Sequence, residues 1–199
     1  MPRRGSCPTQ ETNQAAFARI DLGSIENACL HSQNESDMSK SEPNREMHAA
    51  PSLAFVMELA IELAPALDLG VTPAGFRRMV PITGGRFEGP KIRGDVLPGG
   101  ADWQILRNDG VLHVEARYAL RTSDGALIYV KNSGLRHGPP EIMERLIAGH
   151  PVDPRSYYFR TAPRFEVSAP QYDWLNRYIF IADAERHANS VIVRVWQVE

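Results

Sequence analysis

Cysteine is nearly missing from this 199-residue chain, and the only two, Cys7 and Cys29, lie near the N-terminus. Beyond them there can be no disulfide framework, no thiolate metal site and no cysteine nucleophile, which fits a reducing compartment. Lysine is also scarce: residues 57–199 hold only Lys91 and Lys131, against fifteen arginines. A genome rich in G and C accounts for that bias simply; bidentate pairing of arginine with an anion is the sharper explanation. The net charge is −2, and residues 57–199 balance 17 basic against 17 acidic side chains. Such a balance speaks against a nucleic-acid partner. No apolar run approaches the length of a membrane-crossing helix, and no apolar stretch follows the basic Arg3-Arg4 as a secretory signal requires. The expectation is a cytoplasmic protein without a membrane or nucleic-acid partner; a homo-oligomer stays open.

Signatures of particular chemistries are missing too. The six histidines show no i, i+4 pair and no short ligand spacing, so no metal is expected. There is no Gly-x-Ser-x-Gly for a hydrolase nucleophile. Gly84, Gly85, Gly89 and Gly94 are spaced too loosely for a phosphate loop, and neither Gly-Lys-Ser/Thr nor a helix follows them. No cofactor motif is found, so no cofactor is expected.

Residues 1–56 are polar and unpatterned, with SQNESDMSKSEPNRE the clearest part, and such composition predicts a disordered N-terminal extension. Residues 57–199 read as one domain. The stretch Ile105 to Asn132 organises it, because Asn108-Asp109-Gly110 and Ser123-Asp124-Gly125 separate three β-rich runs. Asp-Gly supplies the positive φ of a tight hairpin turn, so a three-stranded meander is predicted. Further strands are read over Met57 to Leu67, Ala74 to Pro81, Tyr157 to Thr161, Phe165 to Val167, Tyr178 to Ala182 and Val191 to Val198. Asn132 to Gly138 reads as a loop. Pro139-Pro140 opens one short helix, Glu141 to Ala148, which Gly149 stops. About ten short strands and one helix predict an all-β fold, a single small antiparallel barrel or sandwich.

Four segments carry a resemblance. They are Pro81-Ile82-Thr83-Gly84-Gly85-x-Phe87-Glu88-Gly89-Pro90, the run Val96-Leu97-Pro98-Gly99-Gly100-Ala101-Asp102-Trp103-Gln104, the strand Glu115-Ala116-Arg117-Tyr118, and Tyr157-Tyr158-Phe159-Arg160-Thr161. Together they resemble the domain-of-unknown-function family 3237 over residues 57–199. The resemblance implies a lipocalin-like β-barrel that usually starts near Met57, and it leaves the activity open.

A small barrel either packs its interior or holds a ligand there. The candidate ligand-binding residues are Glu88, Asp102, Trp103, Glu115, Arg117, Tyr118, Tyr158 and Arg160, with Tyr157 beside them. On the middle strand of the meander His113, Glu115, Arg117 and Arg121 alternate with Val114, Ala116, Tyr118 and Leu120. Alternation alone makes the ionic face a solvated one with cross-strand pairs. The concentration of acids, arginines and aromatics in the family-like segments supports the competing interior site. The function expected is binding of a small organic acid, phenol or polyketide-like compound inside the barrel. The alternative is a cofactor-free isomerase, cyclase or lyase in the same cavity, since proton transfer and oxyanion stabilisation need only such side chains.

Overall fold

A computed structural model describes residues 49–199, so the expectation for the extension falls largely outside the described residues. Ten strands follow one another: β1 Leu53–Leu63, β2 Leu67–Thr72, β3 Gly75–Glu88, β4 Arg93–Val96, β5 Ala101–Leu106, β6 Leu112–Thr122, β7 Leu127–His137, β8 Tyr158–Val167, β9 Phe180–Arg186 and β10 Ser190–Val198. One α-helix, α1 Pro140–Ile147, separates β7 from β8, and single 3-10 segments occupy Pro154–Ser156 and Pro170–Asn176. All pairings are antiparallel.

The sheet closes. Its order runs β1-β10-β9-β8-β7-β6-β4-β3, and β1 pairs with β3 to complete the ring. Strands β4 and β5 share one position in the wall: β4 bridges β3 to β6 at one end and β5 does so at the other. The barrel therefore has eight staves, and β2 lies outside the ring as a hairpin partner of β3. Closure satisfies the backbone groups that an open sheet would leave at its edges.

The predicted meander is β5-β6-β7, and Gly110 and Gly125 take φ of 81° and 90° in its two turns. Several boundaries differ from the sequence expectation: β1 ends at Leu63 and Leu67–Thr72 forms a strand of its own, β3 runs on to Glu88, and the runs at Tyr157 and Phe165 join in one strand, β8. The first strand begins at Leu53 rather than Met57, because the apolar Leu53 to Phe55 pairs with Val198 to Trp196. The expected loop over Asn132 to Gly138 is mostly strand. Asn132, Gly134 and Arg136 continue the inward row begun by Ile128 and Val130, and both neighbouring strands bond to them. The loop residues of that segment misled because a closed wall supplies backbone partners whatever the local propensity.

The interior divides into two halves along the barrel axis. One end is packed solid by Met57, Leu59, Phe87, Val96, Leu120, Ile128, Val130, Phe165, Phe180 and Val195, all buried. The Pro170–Asn176 segment closes that end with buried Leu175, and Trp174 tilts against Phe180 at 6.1 Å. Each such buried side chain stabilises the fold by roughly 1.5–3 kcal/mol. At the other end the same strands carry smaller or polar inward residues and a cavity opens. Helix α1 sits at that end, with Leu146 buried and lining the cavity beside the more exposed Ile147. Among the described residues no helix is long and apolar enough to cross a membrane.

Candidate functional site in the barrel interior

The cavity has a volume of about 210 Å³. That is below the roughly 300–1,000 Å³ of sites for drug-sized ligands, so it suits a compact molecule. Its apolar lining comes from Ile61, Val80, Ile82, Val114, Val193 and their neighbours. Its polar lining is Arg78 on β3, Asp102 and Gln104 on β5, Tyr118 on β6, Asn132 and Arg136 on β7, Thr161 on β8 and Arg186 on β9.

Parity places all of these side chains. Arg78 is in step with Val80 and Ile82, Asn132 and Arg136 with Ile128 and Val130, and Arg186 with Ala182 and Ala184. Along each strand an apolar inward row continues at period two into a polar residue. The same rule sends the ionic residues of β6 outward, because Val114, Tyr118 and Leu120 are the buried ones.

Of the candidates read from the sequence, Asp102 and Tyr118 line the cavity. The other six do not, and this corrects the expectation that they gather inside. Glu115 and Arg117 are on the outer face, where Arg117 donates to Glu115 at 2.6 Å and Lys131 lies 3.7 Å from the same carboxylate. The bond from Arg117 holds the Glu115 carboxyl below its ordinary range. Glu88 and Arg160 are exposed, as are Trp103 and Tyr158, at 43% and 45%. Tyr158 stacks on His137 at 4.8 Å outside the wall, and Arg160 lies over its ring at 5.5 Å. Tyr157 does turn inward and is buried, and its phenol oxygen accepts the Arg186 backbone N–H at 3.0 Å. Sequence reasoning missed Arg78, Gln104, Asn132, Arg136, Thr161 and Arg186 as interior groups. The continuation of apolar parity was the signal that could have found them.

One wall of the cavity is a closed network. Arg78 Nε donates to Gln104 Oε1 at 2.7 Å, Gln104 Nε2 donates to Asp102 Oδ2 at 2.5 Å, and the Glu115 backbone N–H donates to Asp102 Oδ1 at 3.0 Å. Burial pushes the Asp102 carboxyl above its ordinary value, and it outweighs the hydrogen bonds from Gln104 and Glu115 and the attraction of Arg136 and Arg78. Burial also pushes the Tyr118 phenol up, and the nearby Asp102 adds to it.

The opposite wall is not closed. Asn132, Arg136 and Thr161 are 6%, 3% and 7% exposed. Arg136 Nε, Asn132 Oδ1 and Thr161 Oγ1 have no hydrogen-bond partner among the described residues. The Arg136 guanidinium lies over the Phe159 ring at 5.6 Å. Burial, with Arg78 and Arg186 nearby, lowers its pKa to about 10. Arg186 donates to the Ser190 carbonyl at 2.9 Å, and its pKa is likewise lowered by burial and by Arg78. Three guanidiniums thus face one carboxylate in the cavity lining, and among the described residues none of the three is within salt-bridge distance of an acid. Among the described residues no cluster of His, Cys, Asp and Glu could hold a metal ion.

Comparison with known proteins agrees with this architecture. A UPF0311 protein of Rhodopseudomonas palustris is 45% identical over 144 residues, covering 72% of this chain and 94% of the relative. A crystal structure of a conserved protein of unknown function from the same species superposes with a TM-score of 0.75 at 43% identity, over 76% of this chain and all of the other. More distant, at 26% identity over 149 residues, is a hydroalkoxylation enzyme of Penicillium herquei, matched over 75% of this chain and 85% of the enzyme. The family model for a protein of unknown function, DUF3237, matches residues 51–198, and the chain belongs to that β-barrel family.

Proposed function

We propose that the barrel interior binds a compact organic anion: a small acid, a phenol or an enolised polyketide-like compound. One observation carries this reading: Arg78, Arg136 and Arg186 converge on a half-apolar cavity that offers them only the Asp102 carboxylate. Burying unpaired positive charge is costly, and a bound anion offsets that cost. The apolar half of the lining takes the body of the ligand.

The test is thermal shift at neutral pH with benzoate, its neutral amide and short aliphatic carboxylates. Binding at 100-fold over the dissociation constant adds about 2.7 kcal/mol to stability. The carboxylates are expected to raise the melting temperature and the amide to leave it unchanged. A protein indifferent to every anion, or equally responsive to benzamide, would remove the basis of this reading.

A second reading, a cofactor-free isomerase, cyclase or lyase, is favoured by the raised Asp102 carboxyl and by the distant relative named for hydroalkoxylation. Hydroalkoxylation adds an alcohol O–H across a carbon–carbon double bond, so its atoms balance without a redox cofactor. On a double bond conjugated to a carbonyl, Asp102 would take the hydroxyl proton as the C–O bond forms, the electron pair would move onto the carbonyl oxygen as an enolate held by the arginines, and Asp102 would return the proton to carbon. For any substrate turned over, Asp102→Asn should lower kcat far more than it raises KM. Equal turnover in parent and variant would exclude Asp102 from proton transfer.

A further inference from the structure

The two polar walls of the cavity ask for different things. On the β3–β5 wall the Asp102 oxygens already accept hydrogen bonds from Gln104 and the Glu115 backbone, and Gln104 in turn accepts from Arg78 Nε, which leaves the outer nitrogens of Arg78 for an anion. On the β7–β8 wall Asn132 Oδ1, Thr161 Oγ1 and Arg136 Nε are buried and unpartnered among the described residues. Leaving a buried polar atom unsatisfied costs about 1–3 kcal/mol, and native structures rarely do so. All three side chains line one wall of one cavity, which makes that wall the place to look for their partners.

Their arrangement is set by register. Thr161 on β8 lies opposite Gly134 on β7, and Gly134 is flanked on the inward row by Asn132 and Arg136. A Cβ at Gly134 would meet the Arg160 carbonyl oxygen and the Thr161 side chain. Glycine at that point therefore lets β8 approach closely and leaves Thr161 between the two β7 side chains. Two strand residues rise roughly 6.6 Å, so Thr161 lies about that far along the wall from Arg136, and Asn132 about twice as far. Arg136 offers only donors. The Asn132 carbonyl oxygen only accepts, and the Thr161 hydroxyl does either. An anionic oxygen suits Arg136, but a second anion would face the Asn132 acceptor with nothing to share.

We propose that the β7–β8 wall is a hydroxyl-recognising subsite, so that the ligand is a hydroxylated organic acid or a polyphenol ionised at one oxygen, its anionic oxygen on Arg136 and a neutral hydroxyl farther along the wall on Thr161 and Asn132. This rests on the anion-binding reading above and adds to it a second, uncharged recognition point.

Isothermal titration with benzoate, 3-hydroxybenzoate, 4-hydroxybenzoate and 3-methoxybenzoate tests it. At least one hydroxybenzoate should bind roughly tenfold more tightly than benzoate, the gain expected of one or two hydrogen bonds to buried groups. The methoxy compound, which cannot donate, should show no gain. In Thr161→Val and Asn132→Leu the ratio of hydroxybenzoate to benzoate affinity should fall toward one. The valine variant keeps the shape of threonine, so it reports even if the leucine variant fails to fold. Should benzoate bind while the hydroxyl confers nothing, or confers the same in both variants, the subsite is overturned and the anion reading stands. Should no benzoate bind at all, both fall together.

Discussion

Arg136 shows what the cavity asks of a single residue. Its guanidinium is desolvated, stacked on Phe159 and repelled by Arg78 and Arg186. Its pKa in the folded protein falls to about 10 from the ordinary 12.5. A depressed pKa means that the folded state binds this proton more weakly than the unfolded chain does. The stability linked to this group is therefore present above the unfolded value and lost as pH falls through 10. At neutral pH the charge costs the fold roughly 3 kcal/mol, because each tenfold weakening of proton binding is worth about 1.36 kcal/mol. Arg136→Met, which keeps an unbranched apolar stem, should melt no lower than the parent at pH 7 and should lose the response to carboxylates. Its advantage should narrow above pH 10, as melting curves across pH 7–11 would show. A variant that is less stable at pH 7 would mean that Arg136 is held for packing.

At the scale of elements, period two sets the two faces of β6 and β7, and those faces predict opposite sensitivities. On the outer face of β6, Glu115→Ala and Arg117→Ala should each change stability by less than about 1 kcal/mol in denaturant titrations, as exposed pairs do. Neither should alter anion binding. On the inner face of β7, Gly134→Ala forces a methyl group against the β8 backbone and should cost about 1–3 kcal/mol by the same measurement. A neutral Gly134→Ala would show that β7 and β8 separate more easily than their register implies.

Strand count, both Asp-Gly turns and helix α1 were legible because each has a local cause: alternation, positive φ, paired prolines. Asp102 and Tyr118 were legible as well. The remaining site residues were not, because Arg78, Asn132, Arg136 and Arg186 look like surface or loop residues when read singly. Only the parity of their own strands, extended past the last apolar residue, turns them inward. Glu115 and Arg117 drew attention through their charge density, yet the strand's own alternation had already assigned them to water.

Across the whole molecule, the barrel is held shut by contacts between its first and last strands. β1 is bonded to both β10 and β3, and the register with β10 reaches back to Leu53. A protein beginning at Ala49 should therefore keep the full melting temperature of the folded part. One beginning at Met57 gives up the Leu53–Val198, Ala54–Gln197 and Phe55–Trp196 pairs and buried Val56, and should melt several degrees lower. Equal melting temperatures would show that the first residues of β1 contribute nothing.

The same seam has a further consequence. Ser52 and Glu199 exchange backbone hydrogen bonds at 3.0 and 2.9 Å, so the two ends of the folded chain already touch. The ring of staves consequently has no physical starting point. A circular permutant that joins Glu199 to Ser52 through a short glycine-rich linker, and opens instead at the exposed Asn108–Asp109 turn, should fold to the same barrel. It should also retain its anion response, since every strand that lines the cavity stays intact and only the order of synthesis changes.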